Sequence, residues 1–468
     1  MKKINFESGY WDFYLIVKVN KRDYYVRVKN PASEITNNLY NKEREDIIKL
    51  ENDFILYPYI TINNDLSLTY RKKEKSEGLL LYIKEKIAFF IYNTFKKHFD
   101  EKQIYLVYEK FSQTAQDNSY YFFKHVYENY HNKNVFYIID KKHPDYKNVK
   151  RMKDRVIPYM SIKHLIYLIA SKLFVASESK GHAYIIKKQN GKMRDIVNRK
   201  KFVFLQHGVL GFKKVDSIYR KNGNNAADLF VTSSNTEKEI VKRNFNYNAE
   251  DVIITGLARW DVLKDKSKIQ GQKEIIFMPT WRNWLDDVSE EMFLDSDYYK
   301  YYSSLLNSNK FKKILQDNNI LLHFFMHPKF KAYINNFETN NERIRIYEFG
   351  EIKINELLMR SSLLITDYSS IAWDFYYMKK PVIFFQFDYE AYTSLQGSYL
   401  NMETDLFGDR ILNKETLIDT IQEYVDLDFK EKQQFSAIRD EYFKYVDHHN
   451  SERIFQEIIN NKENLNVE

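Results

Sequence analysis

The chain has 468 residues, 44% of them hydrophobic and 16% aromatic, so it is too long for one ordinary core and suits two domains. Because it contains no cysteine, a disulfide framework, a thiolate nucleophile and a cysteine-based zinc site are excluded. The formal net charge of +8 is modest for this size. It is concentrated in residues 187–201, which could attract anionic lipid, a polyanionic acceptor or nucleic acid, although such segments are more often solvated loops.

The first 75 residues predict a small β-rich accessory domain. Residues 11–19 and 24–29 are rich in β-branched and aromatic side chains, and residues 20–22 between them favour a hairpin. The amino terminus lacks a small-residue cleavage site, and no uncharged apolar run approaches the ~18 to 20 residues that a spanning helix needs. We therefore expect the protein to be made and kept on the cytoplasmic side.

Residues 79–99 predict an amphipathic helix. Apolar side chains recur there at helical spacing, and four lysines lie on or near the other face. A basic amphipathic helix can lie in a membrane interface, although most such helices pack on a protein core.

From residue 104 onwards, predicted strands and helices alternate as in a parallel sheet covered by helices. The strands form two series, at 104–108, 135–139, 173–176, 202–205, 229–232 and 252–255, and then at 275–278, 321–325, 344–347, 363–366 and 382–387. We predict an α/β protein with two Rossmann-like domains, over 76–265 and 266–425, that face a cleft, and C-terminal helices over 426–468 that pack back across them. No GxGxxG or GxxxxGK(S/T) motif is present, which disfavours a dinucleotide enzyme and a P-loop NTPase.

Two histidines directly follow predicted strands, where ligands bind in this architecture. His207 lies in LQHGV, where Gly208 allows a sharp turn, and His327 lies in MHPKF, where Pro328 ends the strand. Either histidine alone is more often a hydrogen-bonded residue at a strand end. One from each predicted domain, both at cleft-facing strand ends, favours a shared function.

Other strand ends carry cations and hydroxyl groups. Arg259 follows one strand, and Thr280 and Arg282 follow another, in MPTWR. The guanidinium forks suit pyrophosphate oxygens, with ordinary ion pairs as the alternative.

A third loop, Asp367-Tyr368-Ser369-Ser370, leads from a strand into a helix. Ser369 and Ser370 could donate to a phosphate, and Asp367 could cap the helix or hold a ligand hydroxyl. No D-x-D follows a strand and no carboxylate accompanies the histidines at metal spacing, so we predict neither a tight metal site nor a cofactor.

The ordered set LQHGV, SSNTEKEI, TGLARWDVL, MPTWR, MHPKF and ITDYSSIAWDFYYMKKPVIFFQFD resembles the CDP-glycerol glycerophosphotransferase family, the teichoic acid primases and polymerases of bacterial cell walls. The resemblance implies a GT-B-like fold with a CDP-donor domain over 266–425, an acceptor- and membrane-side domain over 76–265, and peripheral attachment to the inner face of the cell membrane. It also implies that His207 is the catalytic base and that His327, Ser369 and Ser370 contact the donor phosphates. This sequence departs from the family pattern at Val209 and Leu210, where the family frequently has HGTP, and at Gln396, where the family often has an arginine.

The function that follows is transfer of glycerol phosphate from CDP-glycerol to a hydroxyl of a lipid-linked or polymeric acceptor, such as a polyol phosphate or glycan, in teichoic acid or capsule synthesis. CMP is released, and no nucleic acid takes part. Three alternatives stay open: a CDP-ribitol or other CDP-polyol donor, a GT-B glycosyltransferase that uses a nucleotide sugar, and a non-catalytic protein that binds membranes or polyanions. The sequence does not separate primase from polymerase.

Overall fold

The computed structural model describes residues 8–19, 22–41, 47–61, 65–223, 225–269, 271–286, 288–347 and 351–465. Its N-terminal part is a four-stranded antiparallel sheet in the order β1-β6-β5-β4, beside a hairpin of β2 and β3. The elements are β1 (Gly9–Asp12), β2 (Tyr14–Val19), β3 (Arg22–Arg27), α1 (Ser33–Asn41), β4 (Ile48–Lys49), β5 (Phe54–Ile60) and β6 (Leu66–Lys72). The predicted β-rich region and hairpin are confirmed, although turn residues 20 and 21 lie outside the described residues.

The second sheet has seven parallel strands in the order β13-β12-β11-β10-β7-β8-β9. They are β7 (Tyr105–Tyr108), β8 (Val135–Ile139), β9 (Val156–Pro158), β10 (Leu173–Ala176), β11 (Lys201–Phe204), β12 (Leu229–Thr232) and β13 (Val252–Ile254). The helices of this region are α2 (Leu79–Thr94), α3 (Lys96–Glu101), α4 (Asn118–Asn129), α5 (Tyr146–Val149), α6 (Ile162–Ala170), α7 (Lys192–Arg199), α8 (Asp216–Tyr219) and α9 (Asn235–Phe245).

The third sheet has six parallel strands in the order β16-β15-β14-β17-β18-β19. They are β14 (Lys273–Met278), β15 (Ile320–Phe325), β16 (Ile344–Tyr347), β17 (Leu363–Thr366), β18 (Val382–Phe385) and β19 (Asp409–Ile411). The helices of this region are α10 (Glu290–Asp295), α11 (Asp297–Leu306), α12 (Asn309–Asp317), α13 (Ile354–Arg360), α14 (Ile371–Tyr377), α15 (Tyr389–Leu395) and α16 (Lys414–Asp426).

Continuous apolar runs explain why the sequence predicted these sheets well. Strands such as β8, β10 and β17 are buried along their whole length, as expected for parallel sheets with both faces covered. Every strand predicted after residue 104 is present, and the α/β fold with two parallel sheets is confirmed. The prediction missed β9 and β19, which are three residues long and lie at sheet edges, where a short run gives little hydrophobic signal.

The last helices are α17 (Gln433–Ala437), α18 (Arg439–Tyr442), α19 (Asn450–Asn460) and α20 (Lys462–Leu465). At the start of α19, the carboxylate of Asp261 accepts hydrogen bonds from the backbone N–H groups of Asn450 and Ser451, at 2.7 and 2.9 Å. His125 of α4 lies 2.8 Å from Glu452. The chain therefore returns to the seven-stranded sheet after completing the six-stranded one.

The basic segment 187–201 is largely packed into the protein. Lys188 and Arg194 are buried, and the Lys188 ammonium lies 3.4 Å from the carboxylate of Glu85 on α2. Lys200 donates to the carbonyl oxygens of Ile169 and Ser171, at the end of α6. Three of the seven basic side chains are therefore used inside the fold, in contrast to the solvated loop that the sequence suggested, while Lys187, Lys192 and Arg199 are exposed.

Candidate active site

The His207 loop follows β11 and is held in place by hydrogen bonds to the buried carboxylate of Glu237. Gln206 adopts a left-handed backbone conformation with φ of 61°, and its side-chain amide donates to the carboxylate of Glu237, at 2.9 Å. Glu237 also accepts from the backbone N–H of Leu210, at 2.7 Å. This buried carboxylate therefore fixes both ends of the turn that carries His207 and Gly208.

The His207 ring is oriented by a carboxylate on one side and is open on the other. Its Nδ1 lies 3.0 Å from Oδ2 of Asp117 and 3.7 Å from Glu178, and its side chain is 69% exposed. The hydrogen bond to Asp117 raises the pKa of His207 above its ordinary value. Donation from Nδ1 to Asp117 leaves Nε2 as the proton acceptor, so the ring is arranged as a base.

Asp117 is itself held as an anion. It caps α4 by accepting from the backbone N–H of Asn118, and its Oδ1 accepts from Arg259 at 2.9 Å. Burial by itself would raise the pKa of Asp117, but Arg259 and His207 more than offset that effect and hold the pKa at about 2. Asp117 is therefore charged at neutral pH.

Arg259 joins the two halves of the protein. Its Nε and Nη2 each donate to Asp374 on α14, both at 3.0 Å, and its Nη1 donates to Asp117 and to the backbone carbonyl of His207. The residue is 7% exposed. The guanidinium thus positions the His207 turn against α14, and a contact with pyrophosphate would require some of these hydrogen bonds to open.

The serine loop touches the His207 turn directly. Ser369 and Ser370 lie between β17 and α14, and both are half-buried. A Cβ placed on Gly208 would lie 2.6 Å from Oγ of Ser370, so a side chain at position 208 would collide with the loop. The absence of a side chain at Gly208 allows this approach between the two domains.

Asp367 and Arg282 form a buried network under the serine loop. Asp367 accepts from the backbone N–H of Thr280 at 2.8 Å and from Arg282 at 2.8 Å, and both charged side chains are fully buried. Arg282 also forms a fork with Asp388, at 2.6 and 3.1 Å. The guanidinium carbon lies 4.9 Å from the centroid of the Tyr368 ring. This network connects the ends of β14 and β17 and fixes the direction in which the serine loop leaves the sheet.

His327 lies at the exposed end of β15. Its ring centroid is 6.1 Å from that of Trp281, and the Lys213 ammonium lies 5.4 Å from the Trp281 ring. Lys213 follows His207 and Gly208 in the same connection between β11 and α8. Contacts therefore link His327, the serine loop and the His207 turn at the facing edges of the two sheets.

Sequence reasoning missed the carboxylates that organise this region. Asp117 and Glu178 follow β7 and β10, and Asp388 follows β18, so the strand-end rule that selected the histidines could also have selected them. Asp374 sits within α14 and gives no such signal. Among the residues that the structure describes, no three His, Asp or Glu side chains come together in a way that could hold a metal ion.

Comparisons with known proteins fit this geometry. Residues 89–460 match the family model described as CDP-Glycerol:Poly(glycerophosphate) glycerophosphotransferase. The chain is 31% identical to the minor teichoic acid biosynthesis protein GgaB of Bacillus subtilis (strain 168), over 69% of this chain and 36% of GgaB. It is 26% identical to the teichoic acid ribitol-phosphate polymerase TarL of Staphylococcus aureus (strain NCTC 8325 / PS 47), over 55% of this chain and 45% of TarL. The chain thus spans about a third to a half of the length of these relatives.

A solved structure of the wall teichoic acid polymerase TagF aligns with a TM-score of 0.57 at 16% identity, covering 82% of this chain and 98% of that chain. The two proteins share a fold, and the GT-B-like arrangement predicted from the sequence is confirmed.

Proposed function

Because the chain belongs to the CDP-glycerol:poly(glycerophosphate) glycerophosphotransferase family, as its motifs predicted, we propose that it transfers glycerol phosphate from CDP-glycerol to a hydroxyl of a lipid-linked or polymeric acceptor and releases CMP. The observation that carries this proposal is the contact between the Asp117-paired His207 turn and the serine loop of the other domain. A base and a set of phosphate-binding hydroxyl groups then face one reacting centre.

In the proposed reaction, the acceptor oxygen attacks the β-phosphorus of CDP-glycerol. A new P–O bond forms, the bond from that phosphorus to the bridging oxygen breaks, and CMP leaves with the electron pair. Nε2 of His207 takes the proton of the attacking hydroxyl, while Asp117 holds the ring in the required tautomer and stabilises the imidazolium that forms.

We assign the donor phosphates to the serine loop and His327. Ser369 and Ser370 supply hydroxyl groups beside the His207 turn, and His327 approaches from the end of β15. For Arg259, Arg282 and Asp367 we propose a supporting role, because the structure pairs each with buried charged partners. Thr280 would then act through its backbone N–H, which holds Asp367.

A nucleotide-release assay tests the proposed function. The purified full chain is incubated with CDP-glycerol, CDP-ribitol or a panel of UDP-sugars, together with a glycerol phosphate oligomer as acceptor. We expect CMP from a CDP-polyol and no UDP from any UDP-sugar. CMP from CDP-ribitol alone would establish the ribitol alternative, which the likeness to the ribitol-phosphate polymerase TarL supports. Release of UDP would overturn the assignment.

We propose that the protein works at the inner face of the cell membrane and that α2 provides the contact. None of the described helices is both long enough and apolar enough to cross a bilayer. Five large apolar side chains of α2 are exposed, and at 100° per residue they fall within an arc of about 100°: Leu79, Leu80, Ile83, Ile87 and Phe90. The buried residues Leu81, Glu85 and Ala88 lie on the opposite side, against the protein. Such a helix suits the interface between lipid headgroups and acyl chains.

Replacing Leu80 and Phe90 together with serine is expected to weaken binding to anionic liposomes by at least about tenfold, because each side chain would lose apolar contact with lipid worth about 1.5–3 kcal/mol. Flotation of the purified protein with phosphatidylglycerol vesicles measures this. Met292→Ser, at another exposed apolar position, is the matched control and should float like the unaltered protein. Equal flotation of the double variant would remove α2 from the proposed membrane contact.

A further inference from the structure

We propose that Lys110, Phe111 and Glu178 form the acceptor subsite, and that its ligand is a chain end with neighbouring hydroxyl groups next to a phosphodiester. The inference rests on the proposed function, because that function identifies the reacting group as a hydroxyl at the end of the acceptor chain. It is carried by three features at the ends of β7 and β10 that the proposed mechanism leaves unused. Within the described residues, these are a carboxylate that accepts no hydrogen bond, an exposed aromatic ring and an ammonium group without an ion-pair partner.

Glu178 is a carboxylate beside the base. It follows β10 and its side chain is 15% exposed. Its oxygens lie 3.7 Å from Nδ1 of His207 and 3.7 Å from Nε2 of His182, which is longer than a hydrogen bond. Within the described part of the chain, no other group donates to it. Burial raises the pKa of Glu178, as expected for a carboxylate whose lone pairs lack donors. Two neighbouring hydroxyl groups of a polyol would satisfy both oxygens.

The loop after β7 places an aromatic ring against His182, the histidine that lies 3.7 Å from this carboxylate. Phe111 and Ser112 both have a left-handed backbone conformation, with φ of 55° and 52°, which residues with side chains seldom adopt in succession. His182 holds them there, because its Nδ1 accepts from the backbone N–H of Phe111 at 2.8 Å and its carbonyl accepts from Oγ of Ser112 at 2.9 Å. The Phe111 ring is 43% exposed and its centroid lies 4.9 Å from that of His182. Backbone strain that neighbouring groups maintain is typical of functional loops.

Lys110 supplies a positive charge on the same loop after β7. It is exposed, and in the described residues no carboxylate lies within ion-pair distance of it. Lys110 directly precedes Phe111, so its side chain leaves the same loop that His182 holds through the backbone N–H of Phe111. The phosphodiester one polyol phosphate unit before the reacting hydroxyl would form an ion pair with this ammonium group.

Charge also explains why these residues suit the acceptor and not the donor. Asp117 and Glu178 both face His207, and this pair of carboxylates would repel a diphosphate. A neutral polyol end, with its single phosphodiester charge directed towards Lys110, avoids that repulsion. The serine loop contacts the His207 turn from the other domain, so donor and acceptor would approach the base from different sides.

Binding of a glycerol phosphate trimer to the full chain, measured by calorimetry without any nucleotide, tests the subsite. Glu178→Gln and Phe111→Ala are each expected to raise Kd at least about tenfold. Lys110→Ala should raise Kd and reduce its dependence on salt. Lys97→Ala, at an exposed lysine of α3, should leave Kd unchanged. A ribitol phosphate trimer measured in parallel identifies which polyol the subsite accepts.

Turnover separates failure of the subsite from failure of the proposed function. With CDP-glycerol as donor, Glu178→Gln and Phe111→Leu should raise KM for the acceptor and leave KM for the donor unchanged. One outcome would support the subsite and refute the proposed function: the unaltered protein binds the trimer, the variants do not bind it, and no CMP is released. Unchanged Kd and unchanged acceptor KM in Glu178→Gln would overturn the subsite.

Discussion

Replacing His207 with alanine is expected to lower the rate of CMP release by roughly 10²- to 10⁴-fold, which is the usual contribution of a positioned general base. Donor binding, measured by calorimetry with CDP-glycerol, should stay nearly unchanged, because the phosphates are assigned to the serine loop and His327. His327→Ala should weaken both donor binding and turnover. The contrast between the two histidines is the measurement that separates a base from a phosphate contact.

The pH profile shows whether His207 acts as that base. Only neutral imidazole accepts a proton, so kcat/KM should fall as pH drops below the pKa of His207, which Asp117 holds above its ordinary value of 6.5. In Asp117→Asn the anion is lost and the pKa of His207 falls, so the acidic limb of the profile should move to lower pH. Asparagine also caps helices well, which preserves the start of α4. Normal turnover of His207→Ala, or an unmoved acidic limb in Asp117→Asn, would contradict the assignment.

The position of His207 could be predicted because it follows the short apolar strand β11, and in parallel sheets the carboxyl ends of strands meet at one edge. The same reasoning placed His327 and the serine loop. The carboxylate partner of His207 could not be predicted in this way. Asp117 lies far from His207 in the sequence, and only the order β11-β10-β7 in the sheet brings the two loops together.

The arginines show a second limit of the sequence. Arginines at strand ends suited the binding of a diphosphate. The sequence does not reveal how many carboxylates surround each guanidinium group. Arg259 meets Asp117 and Asp374, and Arg282 meets Asp367 and Asp388. Three of these four carboxylates come from the same stretch of the chain, residues 367–388. That stretch therefore supplies both the serine loop and the counter-charges that hold it in place.

Arg282→Met is expected to destabilise the protein by about 3–5 kcal/mol, because it leaves Asp367 and Asp388 without their buried cation. Methionine fills most of the space of the arginine stem, so the lost charge and not a cavity dominates the effect. Thermal or urea unfolding, followed by tryptophan fluorescence, measures the loss. Arg282→Lys should recover only part of the stability, since an ammonium cannot form the fork with Asp388.

The matched control is Arg220→Met, which removes an arginine from the exposed pair with Asp216. Surface pairs contribute about 0–1 kcal/mol, so this variant should unfold close to the unaltered protein. If the Arg282 charge is enclosed, the loss in free energy of unfolding should be several-fold larger for Arg282→Met than for Arg220→Met. Equal unfolding midpoints for Arg282→Met and Arg220→Met would mean that water reaches the network. The serine loop would then depend on some other support to keep its contact with the His207 turn.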